Sequence, residues 1–428
     1  MTAAMSFGVL PDGWRMGRIK DLIGSSANGV WGDEPLDDGL DVYCVRAADF
    51  NRDALAVLPD KLPLRRVEPR ALGEHRLRSG DLVWEKSGGG ENQPVGLAVN
   101  FDLNVTAVCS NFCTKVTPSE GTDGRYLAYV FAAAYFAGLN QRSIKQTTGL
   151  QNLDGKAFLV ESWPVPPLSE QRRIADFLDE GTSLLHRAAA SKGSLQALLQ
   201  ERLKAVRDLS LDALRKRHGE VSLRRMVRGV EQGSSPACDS WPSGEGEWGV
   251  LKLSSVKRGE FYPHENKRLA AGAALARYEI REGDLLVTRA NTPELVGDVA
   301  VASGDVARKL LPDLVYRLRL SGAVKADYVA EVLLGRRVRA LIEATARGTS
   351  QSMVKLRGED IKSWPIPNAG MIEQNEFVHR MRQESRQVRI LTEAIERQQQ
   401  LIFERRRALI VAAVTGQIDV ATSHGVTV

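Results

Sequence analysis

The sequence predicts an α+β fold in which two tandem α/β domains, related by a pseudo-twofold, are separated by two long antiparallel coiled-coil helices. Three observations predict it. A Ser-Trp-Pro segment with Trp163 at its centre returns with Trp364, which is 364 − 163 = 201 positions later. A long amphipathic stretch follows each copy, and similar strand and loop patterns precede each copy. The chain is therefore an internal duplication.

The proline run after each tryptophan marks a boundary. Closely spaced prolines cannot propagate a helix or a central strand, so the chain leaves one structural unit there. Gln171 and Gln374 are 374 − 171 = 203 positions apart, so about two residues have been added between prolines and helix. We predict a first domain at 1–166, a central spacer helix at 167–212, a second domain at 213–367, a C-terminal spacer helix at 368–415 and a tail at 416–428.

Each spacer helix carries an apolar seam whose spacing alternates three and four residues, which is typical of a coiled coil. A whole domain separates the two helices, so we expect them to pack on each other in antiparallel orientation. The alternative is two separate amphipathic helices, each lying on its own domain. The apolar seam positions are Ile174, Leu178, Leu185, Ala188, Leu195, Leu199 and Val206 in the first helix, and Phe377, Met381, Val388, Leu391, Ile395, Ile402 and Leu409 in the second.

Composition favours a soluble binding protein that works in the cytoplasm. The 428 residues include 58 basic and 53 acidic side chains, so the net charge of +5 permits a polyanionic partner without requiring one. Four cysteines are too few and too irregularly spaced for a disulfide framework or a zinc site. The longest apolar segment, residues 127–139, is too short to cross a bilayer, and we expect no membrane partner.

In the first domain, residues 41–45 and 82–85 are predicted strands and residues 125–139 a buried helix. A glycine-rich loop follows the second strand, and a polar, basic loop follows the helix. Glycine lets a backbone approach a partner closely, and the polar side chains around it supply hydrogen-bond donors. The candidate binding residues are Lys86, Ser87, Asn92 and Gln93 in the first loop and Arg142, Lys145, Gln146 and Thr147 in the second.

The second domain repeats this plan. Its Gly-Asp-Leu turn at 283–285 matches the one at 80–82, and a helix at 328–346 stands where the first buried helix stood. The scaffold is shared while the loop residues differ, which is expected of two readers of different targets. The corresponding candidates are Arg289, Asn291, Arg347, Thr349, Gln351 and Lys355.

Motifs for catalysis are absent from the sequence. Residues 149–156 end in Gly-Lys, but alanine follows where a phosphate-binding loop needs serine or threonine. A serine-hydrolase elbow, a zinc-protease helix and a dinucleotide-binding fingerprint are also missing. We therefore predict no catalytic residue, no metal-ligating residue and no cofactor bound by this chain.

Two long motifs resemble the specificity subunit of type I restriction-modification enzymes, which defend bacteria against phage. They are PPLSEQRRIADFL at residues 166–178 and RALIVAAVTGQIDV at residues 407–420. The resemblance implies two target-recognition domains, each reading one half of a split double-stranded DNA site. In one departure from the pattern, the second helix lacks the usual proline and serine start at residues 368–374.

The resemblance also implies the partners. Two methyltransferase subunits would carry S-adenosylmethionine, and restriction subunits would cleave DNA with ATP and Mg²⁺, so that this chain is itself non-catalytic. Two other functions stay open from the sequence. One is a duplicated scaffold that binds proteins without reading DNA, and the other is a solitary specificity subunit that serves a methyltransferase alone.

Overall fold

The computed structural model describes residues 7–37, 39, 41–90, 93–147, 150–270, 276–350, 353–420 and 422. The chain forms two compact units. Unit 1 comprises residues 1–194 and 395–428, and unit 2 comprises residues 195–394. Each unit thus combines one predicted domain with a part of both long helices, and the domain boundaries themselves stay a prediction.

Unit 1 contains fourteen short strands and three short helices among its described residues. The helices are α1 (Pro69–His75), α2 (Gly124–Phe136) and α3 (Gly155–Leu159). The strands are β1 (Arg15–Arg18), β2 (Ile23–Asn28), β3 (Asp41–Val45), β4 (Phe50–Asn51), β5 (Ala56–Val57), β6 (Leu64–Arg66), β7 (Leu82–Glu85), β8 (Ser87–Gly88), β9 (Ala98–Asn100), β10 (Ala107–Cys109), β11 (Cys113–Pro118), β12 (Ile144–Thr147), β13 (Leu150–Leu153) and β14 (Ser162–Val165).

The largest sheet of unit 1 has six strands in the order β2-β11-β7-β9-β5-β4. Its central strand β7 is buried along its whole length and pairs antiparallel with β11 and β9. Helix α2 is buried almost throughout because alanine, valine, leucine and aromatic side chains occupy every side of it, as predicted. The sheet and this helix form the core from which the surface loops emerge.

Unit 2 repeats the plan with three short helices, α5 (Ala326–Leu333), α6 (Arg336–Thr345) and α7 (Gly358–Ser363). Its main sheet has the order β16-β25-β21-β23. The strands are β15 (Glu220–Ser222), β16 (Val227–Gln232), β17 (Gly249–Leu251), β18 (Val256–Lys257), β19 (Glu260–Phe261), β20 (Asn266–Arg268), β21 (Leu285–Thr288), β22 (Ala290–Asn291), β23 (Val299–Val301), β24 (Lys309–Leu310), β25 (Val315–Leu320), β26 (Arg347–Ser350), β27 (Met353–Lys355) and β28 (Pro365–Pro367).

The single helix predicted at 328–346 is wrong, because two helices, α5 and α6, occupy this stretch. Gly335 stands between them with φ −68° and ψ 144°, an extended conformation that interrupts helical hydrogen bonding. A Cβ at Gly335 would lie 2.8 Å from the side chain of Leu211, so the close approach also favours glycine.

The repeated Gly-Asp-Leu turns have the same geometry in both units. Gly80 and Gly283 have φ angles of +88° and +84°, in the left-handed region that glycine adopts without strain. The next residue, Asp81 or Asp284, accepts a hydrogen bond from the backbone N–H three positions earlier, at 2.8 Å and 2.9 Å. The carboxylate thereby closes the turn that leads into the central strand.

Two long helices, α4 (Leu168–His218) and α8 (Met371–Val414), contribute to both units. In unit 1, Lys192 Nζ donates to Gln398 Oε1 at 2.6 Å, while Ile174 lies in the same core as Ile410. In unit 2, Arg202 lies 3.2 Å from Glu384, and Leu211 shares a core with Phe377. Rising numbers in α4 thus meet falling numbers in α8, so the predicted antiparallel pairing is confirmed within each unit.

Burial along the predicted seam is uneven. Ile174, Leu178 and Leu185 are buried, but Leu195 and Leu391 remain 48% and 46% exposed. A two-helix pair covers only one stripe of each helix, so apolar residues at the edge of that stripe stay in contact with water. Among the described residues, no helix is both long enough and apolar enough to cross a membrane.

One buried glutamine in each unit ties the start of a long helix to its domain. Gln171 Nε2 donates to the carbonyls of Gly121 and Pro166, at 3.1 Å and 3.0 Å, and its Oε1 accepts from Asp123 N at 3.0 Å. All three partners lie near the junction of α2, the proline run and α4. The repeated glutamine is therefore a structural contact between helix and domain.

Gln374 repeats this contact in unit 2. Its Nε2 donates to the carbonyls of Ala323 and Ala369 at 3.1 Å and 2.9 Å, and its Oε1 accepts from Lys325 N at 3.0 Å. Trp163 and Trp364, which introduce the two proline runs, are both buried in the cores of their units.

Candidate nucleic-acid interface

A three-stranded sheet joins the two predicted loops of unit 1. Strand β8, at the start of the glycine-rich loop, pairs with β13, which pairs with β12 of the polar loop. Across this sheet Lys145 stands opposite Asn152, and Asn152 stands opposite Ser87. Because paired residues of adjacent strands project to the same face, these three residues form a row, here called row 1.

The same sheet recurs in unit 2, where β22 pairs with β27 and β27 pairs with β26. Arg347 stands opposite Lys355, and Lys355 stands opposite Ala290. These three positions form row 2 by backbone register, in which Lys355 is exposed and Ala290 is buried. The two loop regions that were predicted separately in each domain are thus adjacent.

Equivalent backbone contacts hold the residue that precedes β8 in unit 1 and the residue that precedes β22 in unit 2. Lys86 N donates to Phe112 O at 2.9 Å, and Lys86 O accepts from Leu153 N at 2.8 Å. In unit 2, Arg289 N donates to Leu314 O at 2.8 Å, and Arg289 O accepts from Leu356 N at 2.9 Å. Lys86 and Arg289 are therefore equivalent positions that carry different side chains.

Side-chain contacts fix the polar groups of unit 1. Lys86 Nζ donates to Asn28 Oδ1 at 2.8 Å, and Ser87 Oγ donates to Asn152 Oδ1 at 2.7 Å. Lys145 is 75% exposed and lies 2.9 Å from Asp154.

The Lys145 hydrogen bond lowers the pKa of the Asp154 carboxyl below its ordinary value. The carboxylate therefore partly neutralises this lysine.

A buried ion pair lies beneath the glycine-rich loop. Arg52 Nη2 is 2.8 Å from Glu85 Oε2, and burial raises the pKa of the Glu85 carboxyl despite this arginine. With the amide of Gln93 oriented so that its oxygen faces Arg52, that oxygen lies 2.8 Å from Nη2. Gln93 is thus bound to the base of the loop.

The other candidates of unit 1 lie at the hairpin. Arg142 belongs to the short 3-10 helix Leu139–Ser143 before β12 and lies 3.9 Å from Glu161. Gln146 is exposed on β12. Asn92 lies outside the described residues, and Thr147 is described by its backbone alone.

In unit 2, Arg289 is half-buried, and its Nε donates to the hydroxyl of Tyr316 at 3.1 Å. Asn291 Oδ1 accepts from Thr292 N at 2.9 Å, which closes the turn after β22. Lys355 is exposed. Gln351 lies outside the described residues, and Arg347 and Thr349 are described by their backbone alone.

Sequence reasoning missed four neighbours of these residues. Asn28 and Asn152 are the hydrogen-bond partners of Lys86 and Ser87, and Tyr316 is the partner of Arg289. Phe112 is 48% exposed beside β8. Only Asn152 carried a sequence signal, since it follows the polar loop directly, whereas the others come from strands distant along the chain.

The arrangement suits recognition of a polar, anionic surface more than bond chemistry. Lysine, serine and asparagine donors lie on one small sheet, which matches phosphate oxygens and base edges. Within the described part of the chain, no group of histidine, cysteine and acidic residues is placed to hold a metal ion. Burial raises the pKa of the Cys44 thiol to about 11, so this cysteine stays a neutral core residue.

The chain is similar in sequence to specificity subunits of type I restriction enzymes. The family model of the type I restriction modification DNA specificity domain matches residues 11–189. The type I restriction enzyme EcoEI specificity subunit of Escherichia coli is 34% identical over 146 residues, which cover 33% of this chain and only 24% of that protein. The EcoKI specificity subunit of Escherichia coli K12 is 22% identical over 409 residues, covering 89% of this chain and 83% of that protein.

A solved structure extends the comparison to nearly the whole chain. A chain from a study of complex assembly and conformational transition in the type I R-M system matches with a TM-score of 0.68 at 16% identity. The match covers 96% of this chain and 100% of the other. At this identity the likeness establishes the fold.

Proposed function

We propose that the chain is a specificity subunit of a type I restriction-modification system and that it reads a bipartite double-stranded DNA site, one half-site per unit. The observation that carries this proposal is the duplicated three-stranded sheet that gathers both predicted loops in each unit. The rows on the two sheets differ, so the two half-sites are expected to differ in sequence.

The side chains at these sheets match the groups that DNA presents. Lysine and arginine contact phosphates and guanine edges, while asparagine and glutamine suit adenine. Row 1 contains lysine, asparagine and serine, and row 2 contains arginine, lysine and alanine. Unit 1 therefore offers amide and hydroxyl readout, whereas unit 2 presents the exposed Lys355 at the position of Asn152.

We infer that the long helices bind the catalytic partners. Each unit carries large apolar residues exposed on these helices, which a partner can cover. Among them are Leu401 and Phe403 in unit 1 and Leu198, Leu209 and Ile390 in unit 2. Related surfaces in both units fit two copies of one partner, which we propose are two methyltransferase subunits.

In this proposal the chain supplies specificity and its partners supply chemistry. S-adenosylmethionine would be bound by the methyltransferase subunits, and ATP with Mg²⁺ by restriction subunits. The complex would act on DNA in the cytoplasm. A methyltransferase complex without a restriction subunit would use this chain in the same way.

Co-expression with the methyltransferase partner tests the proposal. Methylation sequencing of host DNA should reveal one split motif, and a gel shift of the purified complex should prefer duplexes that carry it. Native mass spectrometry should find two methyltransferase chains per copy of this chain. A complex that assembles but binds all duplexes equally would favour the protein scaffold instead, and a one-to-one complex that resists excess partner would refute the stoichiometry.

A further inference from the structure

The backbone that follows the glycine-rich loop of unit 1 is held by buried side chains. Asn140 Nδ2 donates to Val95 O at 2.6 Å, and Val95 N donates to Gln151 Oε1 at 3.2 Å. Trp84 Nε1 donates to Gly96 O at 3.1 Å. Both polar groups of Val95 are thus bonded to residues from the hairpin side of the sheet.

Asn140 reaches the loop backbone from the start of the hairpin. Its side chain is fully buried, and its position in the 3-10 helix Leu139–Ser143 leads directly into β12. Gly96 has φ +117°, and a Cβ there would lie 2.9 Å from Asn140 Cβ. The absence of a side chain at Gly96 makes room for the amide of Asn140 against the loop backbone.

Arg339 makes the corresponding contact in unit 2. Its Nη1 donates to Val296 O at 2.9 Å, and its Nη2 donates to Glu294 O at 3.0 Å. Val296 is equivalent to Val95, since both precede the glycine that ends the loop. Arg339 lies on α6, which leads into β26, so it too connects the end of one loop to the start of the hairpin.

We propose that Asn140 and Arg339 are positioning residues, each of which fixes the readout loop of its own unit against its own hairpin. The proposal rests on the proposed function, because it assigns these residues a role in reading a half-site. Neither residue was predicted from the sequence. Both donate hydrogen bonds to backbone carbonyls of the loop and belong to neither row.

The physical reason is the precision that base recognition requires. Hydrogen bonds to base edges depend on the donor position within a fraction of an ångström, and the rows combine residues from both loops. If the loop end shifts relative to the hairpin, residues of one row no longer match the same base pair. Discrimination between bases should then fall more than affinity for phosphates.

The experiment uses the co-expressed methyltransferase complex and duplexes carrying the motif found by methylation sequencing. Each duplex has one base-pair change in one half-site, and the ratio of dissociation constants between changed and unchanged duplex is measured for each half. Asn140→Leu removes the amide donor in unit 1, and Arg339→Met removes the guanidinium in unit 2. Gln141→Leu and Arg336→Met are matched controls, because both residues are exposed and lie on the same short helices.

We expect Asn140→Leu to lower the ratio about tenfold at one half-site and leave the other half within about twofold. Arg339→Met should lower the ratio at the other half-site instead. Arg339→Lys should recover part of the loss, because one ammonium nitrogen can reach one of the two carbonyls that the guanidinium contacts. Equal loss at both halves, no loss in a folded complex, or no difference between the lysine and methionine variants would overturn the positioning role. Failure of the proposed function would look different from failure of the positioning role. In that case the complex with the wild-type chain would itself show no preference for the split motif.

Discussion

The three-stranded sheet β12-β13-β8 of unit 1 and the sheet β22-β27-β26 of unit 2 share a backbone plan but carry different side chains. Their strands pair in the same order, and Lys86 and Arg289 make backbone hydrogen bonds to residues at equivalent positions. Their row residues differ, since Asn152 of row 1 is replaced by the exposed Lys355 in row 2. The core constrains where the strands run, whereas exposed row residues can change without a packing cost.

An ion pair between the domain and a long helix is also present in both units. In unit 1, Arg125 of the domain lies 2.7 Å from Asp179 of α4. In unit 2, Asp327 of the domain lies 2.9 Å from Arg382 of α8. The charges are reversed while the contact remains. Because these side chains are well exposed, each pair contributes little to stability, and what has been kept is the geometry.

The largest effect should come from the tryptophans that the two units share. Trp163→Ala and Trp364→Ala should each lower the free energy of unfolding by about 3 to 5 kcal/mol, because a fully buried aromatic ring is removed. Urea denaturation followed by circular dichroism measures the loss. Trp241→Ala is the control, since that ring is 54% exposed. If one variant greatly lowers the free energy of unfolding and the other does not, the two tryptophans do not have equivalent roles in the two cores.

A smaller loss is expected at the paired glutamines. Gln171→Leu and Gln374→Leu should each cost about 3 kcal/mol, because three backbone partners lose their buried hydrogen bonds. The same denaturation experiment applies, with exposed Gln200→Leu as the control. If leucine is tolerated at either position, the glutamine is not the contact that holds that helix to its domain.

Recognition should divide cleanly between the units. Lys86→Ala should weaken binding at one half-site and Arg289→Ala at the other, each by about 1 to 3 kcal/mol if a base contact is lost. Duplexes altered in one half-site at a time measure this in the methyltransferase complex. Lys20→Ala and Lys257→Ala are exposed controls. Equal weakening of both halves by either variant would argue against independent readers.

The smallest effect concerns a pair confined to unit 1. The Lys145 hydrogen bond lowers the pKa of Asp154, whereas Arg357 occupies the equivalent position after β27. The contribution of this pair is therefore present above the ordinary pKa of aspartate, about 3.9, and is lost as pH falls through the lowered value.

Lys145→Met should return the pKa of Asp154 towards its ordinary value. Carboxyl carbon NMR with labelled aspartate and glutamate follows the titration. The pKa of Glu265 is lowered by a Ser254 hydrogen bond in the other unit and serves as the internal control. An unchanged Asp154 titration would mean that its backbone contact with Ala157 outweighs the lysine.

The fold was readable where local patterns repeat. Proline runs, Gly-Asp-Leu turns and the seam spacing predicted the duplication, the turns and the antiparallel helices. The break at Gly335 was missed because a single glycine in a helical pattern is often tolerated. In the structure Asp208, which is distant along the chain, accepts a hydrogen bond from Arg336 N at the start of the second helix. At the candidate interface, the sequence predicted two loops in each unit, which the structure joins in one sheet. Asn28 and Phe112 lie on segments that carried no sequence signal.

What the sequence by itself determined is the duplication, the two long helices and the correspondence of each loop with its counterpart, because periodicity, turn residues and repeats are local properties of the chain. Only the tertiary structure decided which residues share a row and which hold it in place. Asn140 and Val95 are far apart along the chain, and their hydrogen bond exists because the sheet brings two loops together. Contacts of that kind depend on strand register, which a single sequence does not specify.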